Sequence, residues 1–194
     1  LTKNILEKFM TKTVETYFDF YSNKFSKLTY IDKKSKKKFI KTLNLFLNLK
    51  KKKKKILIFG NGGSAAMASH FSVDMTKIGK IRTVNFNESD LITCFANDYV
   101  YENWVSKSIS FYFDKGDIVV LISSSGESQN MINAAKLVKK KKIKLITFTG
   151  FNSSNRLKKL GNINFWTDSK IYNHVENIHQ FWLLMLSDLA ALKK

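Results

Sequence analysis

The sequence predicts an α/β protein: an αβα sandwich on a five-stranded parallel sheet with flanking helices, preceded by an N-terminal helical extension. Three observations lead there. Short apolar runs of strand length stand at 56–59, 83–86, 118–123, 145–149 and 163–167. Segments with helical spacing lie between them, at 63–77, 99–113, 128–140 and 153–160, and strands alternating with helices fold as parallel βαβ units with both sheet faces covered. Residues 1–50 and 172–192 show a helical period in place of strand runs.

Taken in order, Ile5, Phe9, Val14 and Phe18, then Phe39, Leu43 and Phe46, recur at helical spacing. The extension therefore reads as two helices that pack on the sandwich or on a neighbouring subunit. The first strand runs directly into Gly60-Asn61-Gly62-Gly63-Ser64 and a helix. The third runs into Ser123-Ser124-Ser125-Gly126-Glu127-Ser128 and another helix. The remaining strands complete the sheet, and a long amphipathic helix closes the chain. No internal repeat and no Gly/Ser linker divides it, so residues 1–194 read as a single domain.

A chain of 194 residues that is 44% hydrophobic and 13% aromatic buries an ordinary core. Its apolar runs fall far short of the roughly 20 residues that span a bilayer, so no membrane partner is expected. The opening residues mix Lys3, Glu7 and Lys8 with apolar positions, unlike a signal peptide. A lone cysteine, Cys94, permits no internal disulfide, and a cytoplasmic location is expected. Cys94 is expected to pack near the core, since no neighbouring His or Lys lowers its pKa. The formal charge of +19 invites a nucleic-acid partner. Nearly all of it is lysine, however, with Arg82 and Arg156 the only guanidinium groups. The runs at 34–38, 50–55 and 139–142 fall at helix ends and turns, so they read as solvated surface.

The two loops carry the chemistry. Residues 60–64 set a glycine-dense turn between a buried strand and a helix start, where backbone N–H groups favour an anion and missing side chains let it approach. The turn is neither a P-loop nor the Gly-x-Gly-x-x-Gly fingerprint, and no nucleotide cofactor is expected. Residues 123–128 place four serines at a second helix start, more hydroxyls than one cap needs. Open α/β sheets bind ligands at the carboxyl ends of such strands. The candidate phosphate site is therefore Asn61, Gly62, Gly63, Ser64, Ser123, Ser124, Ser125 and Ser128.

Residues 56–76 and 117–150, the run Asn97-Asp98-Tyr99-Val100-Tyr101-Glu102, and Val175-Glu176-Asn177-Ile178-His179 resemble the bacterial sedoheptulose 7-phosphate isomerase, or phosphoheptose isomerase, family of the SIS superfamily. The resemblance covers nearly the whole chain. It implies an SIS-type sandwich, a homotetramer with active sites shared between subunits, and conversion of D-sedoheptulose 7-phosphate to D-glycero-D-manno-heptose 7-phosphate for the heptoses of lipopolysaccharide or capsule. It also adds Asn97 and Asp98 to the substrate-binding set.

Ketose–aldose isomerisation moves a proton between neighbouring carbons of an enediol, which needs a base and a group to polarise the carbonyl. The resemblance implies a Glu after the glycine loop and a His on the last helix for these tasks; Asp74 and Leu184 stand there. The family's Gln on the last helix is Glu176, and an Asp upstream of it is Asn173. The groups left for proton transfer are Asp74, Glu176 and His179. Some family members bind zinc between these two helices, which implies His70, Asp74, Glu176 and His179 as candidate ligands of one divalent metal per site. His174 is expected at the surface. The expected function is a sugar-phosphate isomerase. The alternative is a non-catalytic SIS module of the DnaA initiator-associating type that binds a sugar phosphate or a protein partner, and a hexose or pentose phosphate isomerase is a third reading.

Overall fold

A computed structural model describes residues 2–192, with side chains from residue 11 onward. Ile5 and Phe9, counted above toward the first helix, lie outside the described side chains. Helices α1 (Thr2–Thr29) and α2 (Lys33–Lys51) come first. Asp32 starts the second: its carboxylate accepts from the Ser35 backbone N–H at 2.6 Å. There follow β1 (Ile56–Phe59), α3 (Gly63–Lys77), β2 (Thr83–Val84), α4 (Ser89–Tyr99), a 3-10 turn (Tyr101–Asn103), α5 (Trp104–Tyr112) and β3 (Ile118–Ser123). The chain continues through α6 (Gln129–Lys140), β4 (Lys144–Thr149), α7 (Arg156–Leu160), β5 (Ile163–Trp166) and α8 (Tyr172–Leu192). All strand pairs are parallel, in the order β2-β1-β3-β4-β5.

Alternation along the strands explains why the sheet is central. Ile56 and Ile58 of β1 belong to one core layer, Leu57 and Phe59 to the other, and β3 alternates in the same way. Strands buried on both faces read as continuous apolar runs. On one face, α2, α3 and α8 contribute Phe46, Phe71 and Leu183 to the core; on the other, α5, α6 and α7 contribute Trp104, Met131 and Leu157. No helix of the described residues is long and apolar enough to cross a membrane.

Several elements differ from expectation. The helix expected over 99–113 is interrupted: Val100, at φ 58°, breaks the chain between α4 and the 3-10 turn that leads into α5. The sequence did not announce α4, because no residue of it is fully buried and only Leu91, Ile92 and Phe95 rest against the core. Strand β2 stops at Val84, and Phe86 leaves the sheet to stack on Phe59 with centroids 4.8 Å apart. Helix α7 starts at Arg156, where the Asn155 side chain accepts from the Lys158 N–H at 2.8 Å. On α1, Phe25 and Leu28 rest against the core, whereas Val14 and Phe18 are exposed.

Candidate active site

From the centre of the sheet the chain winds one way through β1 and β2 and the other way through β3, β4 and β5. The reversal lies between β1 and β3, and the loops leaving these two strands part to open a cleft. A cavity of about 280 Å³ occupies it. Residues 61–64 of the glycine loop and Ser123, Ser124, Ser125 and Ser128 of the serine loop all line this cavity, together with Tyr172 and Glu176 from α8. The eight loop residues expected to form a phosphate site are thus brought together.

The local sequence explains the loop shapes. A Cβ on Gly60 would collide with the Ser64 carbonyl group, so only glycine lets α3 start this close to β1. Neither Gly62 before α3 nor Ser128 before α6 caps its helix with a side chain. Two helix N-termini are therefore available to an anion. In the serine loop, Ser123 donates to the Ser128 hydroxyl at 3.2 Å and accepts from the Gly126 N–H at 3.2 Å. Ser125 accepts from the Glu127 N–H at 3.2 Å. The Ser124 hydroxyl is buried without a partner among the described residues, a state that costs about 1–3 kcal/mol and that a ligand oxygen relieves. Glu127 is turned to Arg156, 2.5 Å away, whose guanidinium holds the carboxyl below its ordinary pKa.

Glu176 brings a carboxylate to the other side of the cavity. It lies against Gly63 at the start of α3, where a Cβ on the glycine would be 2.5 Å from Oε2. Asn61 is held by Asn130 of α6 through two amide hydrogen bonds of 3.1 and 3.0 Å.

The other predicted residues lie elsewhere. His70 Nε2 is 3.4 Å from Asp74 on α3, and its Nδ1 faces Gln180 Nε2 at 2.9 Å. Asp74 is ten residues past Ser64, roughly 15 Å along the helix axis. Gln180 was not anticipated; its signal was its place one turn after Glu176 on the same face of α8. His179 is fully buried against Phe148 and Trp182, donates from Nε2 to the Thr149 carbonyl at 3.1 Å, and leaves Nδ1 without a partner among the described residues. Burial pushes its pKa down to about 4. His179 is thus removed from both the cavity and the His70–Asp74 pair, because three residues beyond Glu176 the helix presents its side chain to the sheet. Among the described residues no three His, Cys, Asp or Glu side chains converge on a metal position. The four-residue zinc set does not assemble among the described residues of one chain.

Asn97 and Asp98 are exposed on α4, bonded to each other at 3.0 Å, and do not line the cavity. Cys94 is exposed beside Asp98 and not packed near the core, since α4 only grazes the sandwich; desolvation and the Asp98 charge raise its thiol pKa. His174 is buried and not at the surface, because α1 covers this turn of α8: Tyr21 meets its ring edge-on with centroids 4.5 Å apart. Desolvation, then Lys24, lowers its pKa.

Comparison with known proteins agrees with this fold. The SIS domain family matches residues 17–150. Phosphoheptose isomerase from Buchnera aphidicola subsp. Acyrthosiphon pisum is 30% identical over 169 residues, covering 81% of this chain and 87% of that protein. The chain belongs to the phosphoheptose isomerase family of SIS-domain proteins. The solved structure of phosphoheptose isomerase from Neisseria gonorrhoeae shares the fold, with a TM-score of 0.82 at 24% identity over 93% of this chain and 99% of that one. The enzyme from Francisella tularensis gives a TM-score of 0.81 at 19% identity, over 94% and 98% of the two chains. In this SIS domain the two loops at the reversal of strand order and the carboxylate of Glu176 form the candidate centre.

Proposed function

We propose that the chain is a cytoplasmic sugar-phosphate isomerase that converts D-sedoheptulose 7-phosphate to D-glycero-D-manno-heptose 7-phosphate and so supplies heptose for surface polysaccharide. One observation carries this reading: a single cavity joins two uncapped helix starts and five serines to a carboxylate. The phosphate is an anion that helix N-termini and hydroxyls stabilise. Glu176 is then the base nearest the sugar. It removes the proton from the hydroxyl-bearing carbon beside the carbonyl, the electron pair forms the enediolate, the hydroxyl proton passes to the former carbonyl oxygen, and the carboxyl group returns a proton, exchangeable with water, to the former carbonyl carbon. N–H donors of Asn61 and the glycine loop stabilise the oxygen on which charge develops.

Asp74, His70 and Gln180 lie off this cavity on α3 and α8. On this reading they serve the cavity of a neighbouring copy, so the working form is a homo-oligomer, most simply a tetramer. Exposed apolar residues on α1 support that assembly. With Leu184 in place of the family's His, no proton is donated from that turn.

Titration with ketose phosphates and with inorganic phosphate tests the site. Ser125→Phe should weaken sugar-phosphate binding by about tenfold or more, roughly 1.4 kcal/mol, with little change in Tm. Unchanged affinity would remove the phosphate assignment.

A further inference from the structure

The reciprocal amide pair of Asn61 and Asn130 does more than hold a loop. Asn61 lies in the turn after β1, and Asn130 in the first turn of α6, after β3. The pair therefore links the two strands that flank the cleft. Asn130 is 2% exposed, and its Oδ1 also accepts from the Met131 N–H at 2.9 Å. That bond decides which end of the Asn130 amide is oxygen, and through the pair it decides the same for Asn61. Tyr101, on the 3-10 turn, donates from its hydroxyl to Asn61 Oδ1 at 3.4 Å. Asn61 Oδ1 thus accepts twice and has no lone pair left. One of the two hydrogens on Asn61 Nδ2 has no partner among the described residues, on a side chain that lines the cavity.

We infer that Asn130, assisted by Tyr101, is a positioning residue that makes Asn61 a donor-only contact, so that the ligand atom it meets is an acceptor oxygen at the sugar end of the substrate. The inference rests on the sugar-phosphate reading of the cavity. The serine loop supplies hydroxyls for the phosphate, whereas Asn61 shares the glycine loop on which Glu176 rests, beside the reacting carbons. Charge grows on the carbonyl oxygen as the enediolate forms, and a donor fixed in advance stabilises that state more than the ketose. An amide free to turn over would offer its own oxygen to that charge instead.

The test is binding of an aldonohydroxamate phosphate, which carries the paired oxygens of an enediolate, beside inorganic phosphate as control. Asn130→Leu, and Asn130→Asp, which keeps shape and acceptor but cannot donate, should each weaken the hydroxamate about tenfold or more while phosphate affinity stays within about threefold. Tyr101→Phe, at an exposed position that does not threaten folding, should cost about two- to threefold. In an Asn61→Ala background the Asn130 substitutions should cost nothing further, because Asn130 acts through Asn61. Hydroxamate affinity unchanged in the Asn130 variants, or a full additional loss in the Asn61→Ala background, overturns the inference and leaves the function reading intact. A wild-type protein that binds the hydroxamate no better than inorganic phosphate overturns both.

Discussion

The carboxylate of Glu176 rests against the α-carbon of Gly63, so that a methyl group on the glycine would lie 2.5 Å from Oε2. The obstacle is the far end of a flexible side chain, and alanine is favoured over glycine in a helix by up to about 1 kcal/mol. Gly63→Ala should therefore leave Tm unchanged or slightly higher while moving the carboxylate. Substrate-proton exchange should fall by about tenfold or more, the loss expected when a base is displaced. Normal exchange in this variant would contradict the role given to Glu176.

His179 carries a pH dependence of stability. Its folded pKa is about 4 against about 6.5 when exposed, so between these values the unfolded chain binds the extra proton. Stability from this group is complete above about pH 6.5 and is lost as pH falls toward 4. His179→Gln keeps an N–H for the Thr149 carbonyl but does not titrate. Urea unfolding at pH 7 and pH 5 should show a drop about 2 kcal/mol smaller in the variant. The burial of His174 acts in the same direction and remains in both proteins. Equal drops would contradict the buried neutral imidazole.

Lys53, Lys80 and Lys142 have φ of 53°, 56° and 56°, and each follows a helix. Lys53 and Lys142 donate from their backbone N–H to the Lys50 and Lys139 carbonyls, at 3.2 and 3.0 Å. Such helix ends favour glycine, and a side chain there costs roughly 1–2 kcal/mol. Each Lys→Gly substitution should raise unfolding free energy by about 0.5–1 kcal/mol after the added freedom of the unfolded glycine is subtracted. Urea denaturation measures this, and a uniform loss of stability would contradict it.

Val14, Tyr17, Phe18 and Phe20 are 44%, 54%, 63% and 49% exposed along α1. Uncovered apolar residues at this density mark an association surface. Light scattering should report an oligomer, and Phe18→Glu should shift it toward smaller species. A stable monomer at micromolar concentration would contradict the surface and, with it, any site shared between copies.

The parallel sheet and both loops were legible because each signal is contiguous: an apolar run, then Gly60 to Ser64 or Ser123 to Ser128. What was not legible depends on which way a helix faces. Glu176 and His179 are three residues apart, and nothing in that spacing says that one meets Gly63 while the other points to Thr149. His174 looked exposed because the cover over it comes from Tyr21, far away in sequence. Asn130 appears as one polar residue in a helix, and its meaning lies in Asn61, 69 positions earlier. Helix α4 escaped notice because its contact with the core is shallow, the same reason that Cys94 is exposed.

The measurement that bears most directly on the proposed isomerase is deuterium exchange at C1 of sedoheptulose 7-phosphate, followed by proton NMR in D2O. The wild-type protein should exchange this hydrogen, and Glu176→Gln and Asp74→Asn should reduce exchange by about two orders of magnitude or more with inorganic phosphate affinity within a few fold. A wild-type protein that binds the sugar phosphate yet exchanges no proton, with or without added zinc, would contradict the isomerase and leave a sugar-phosphate binding module.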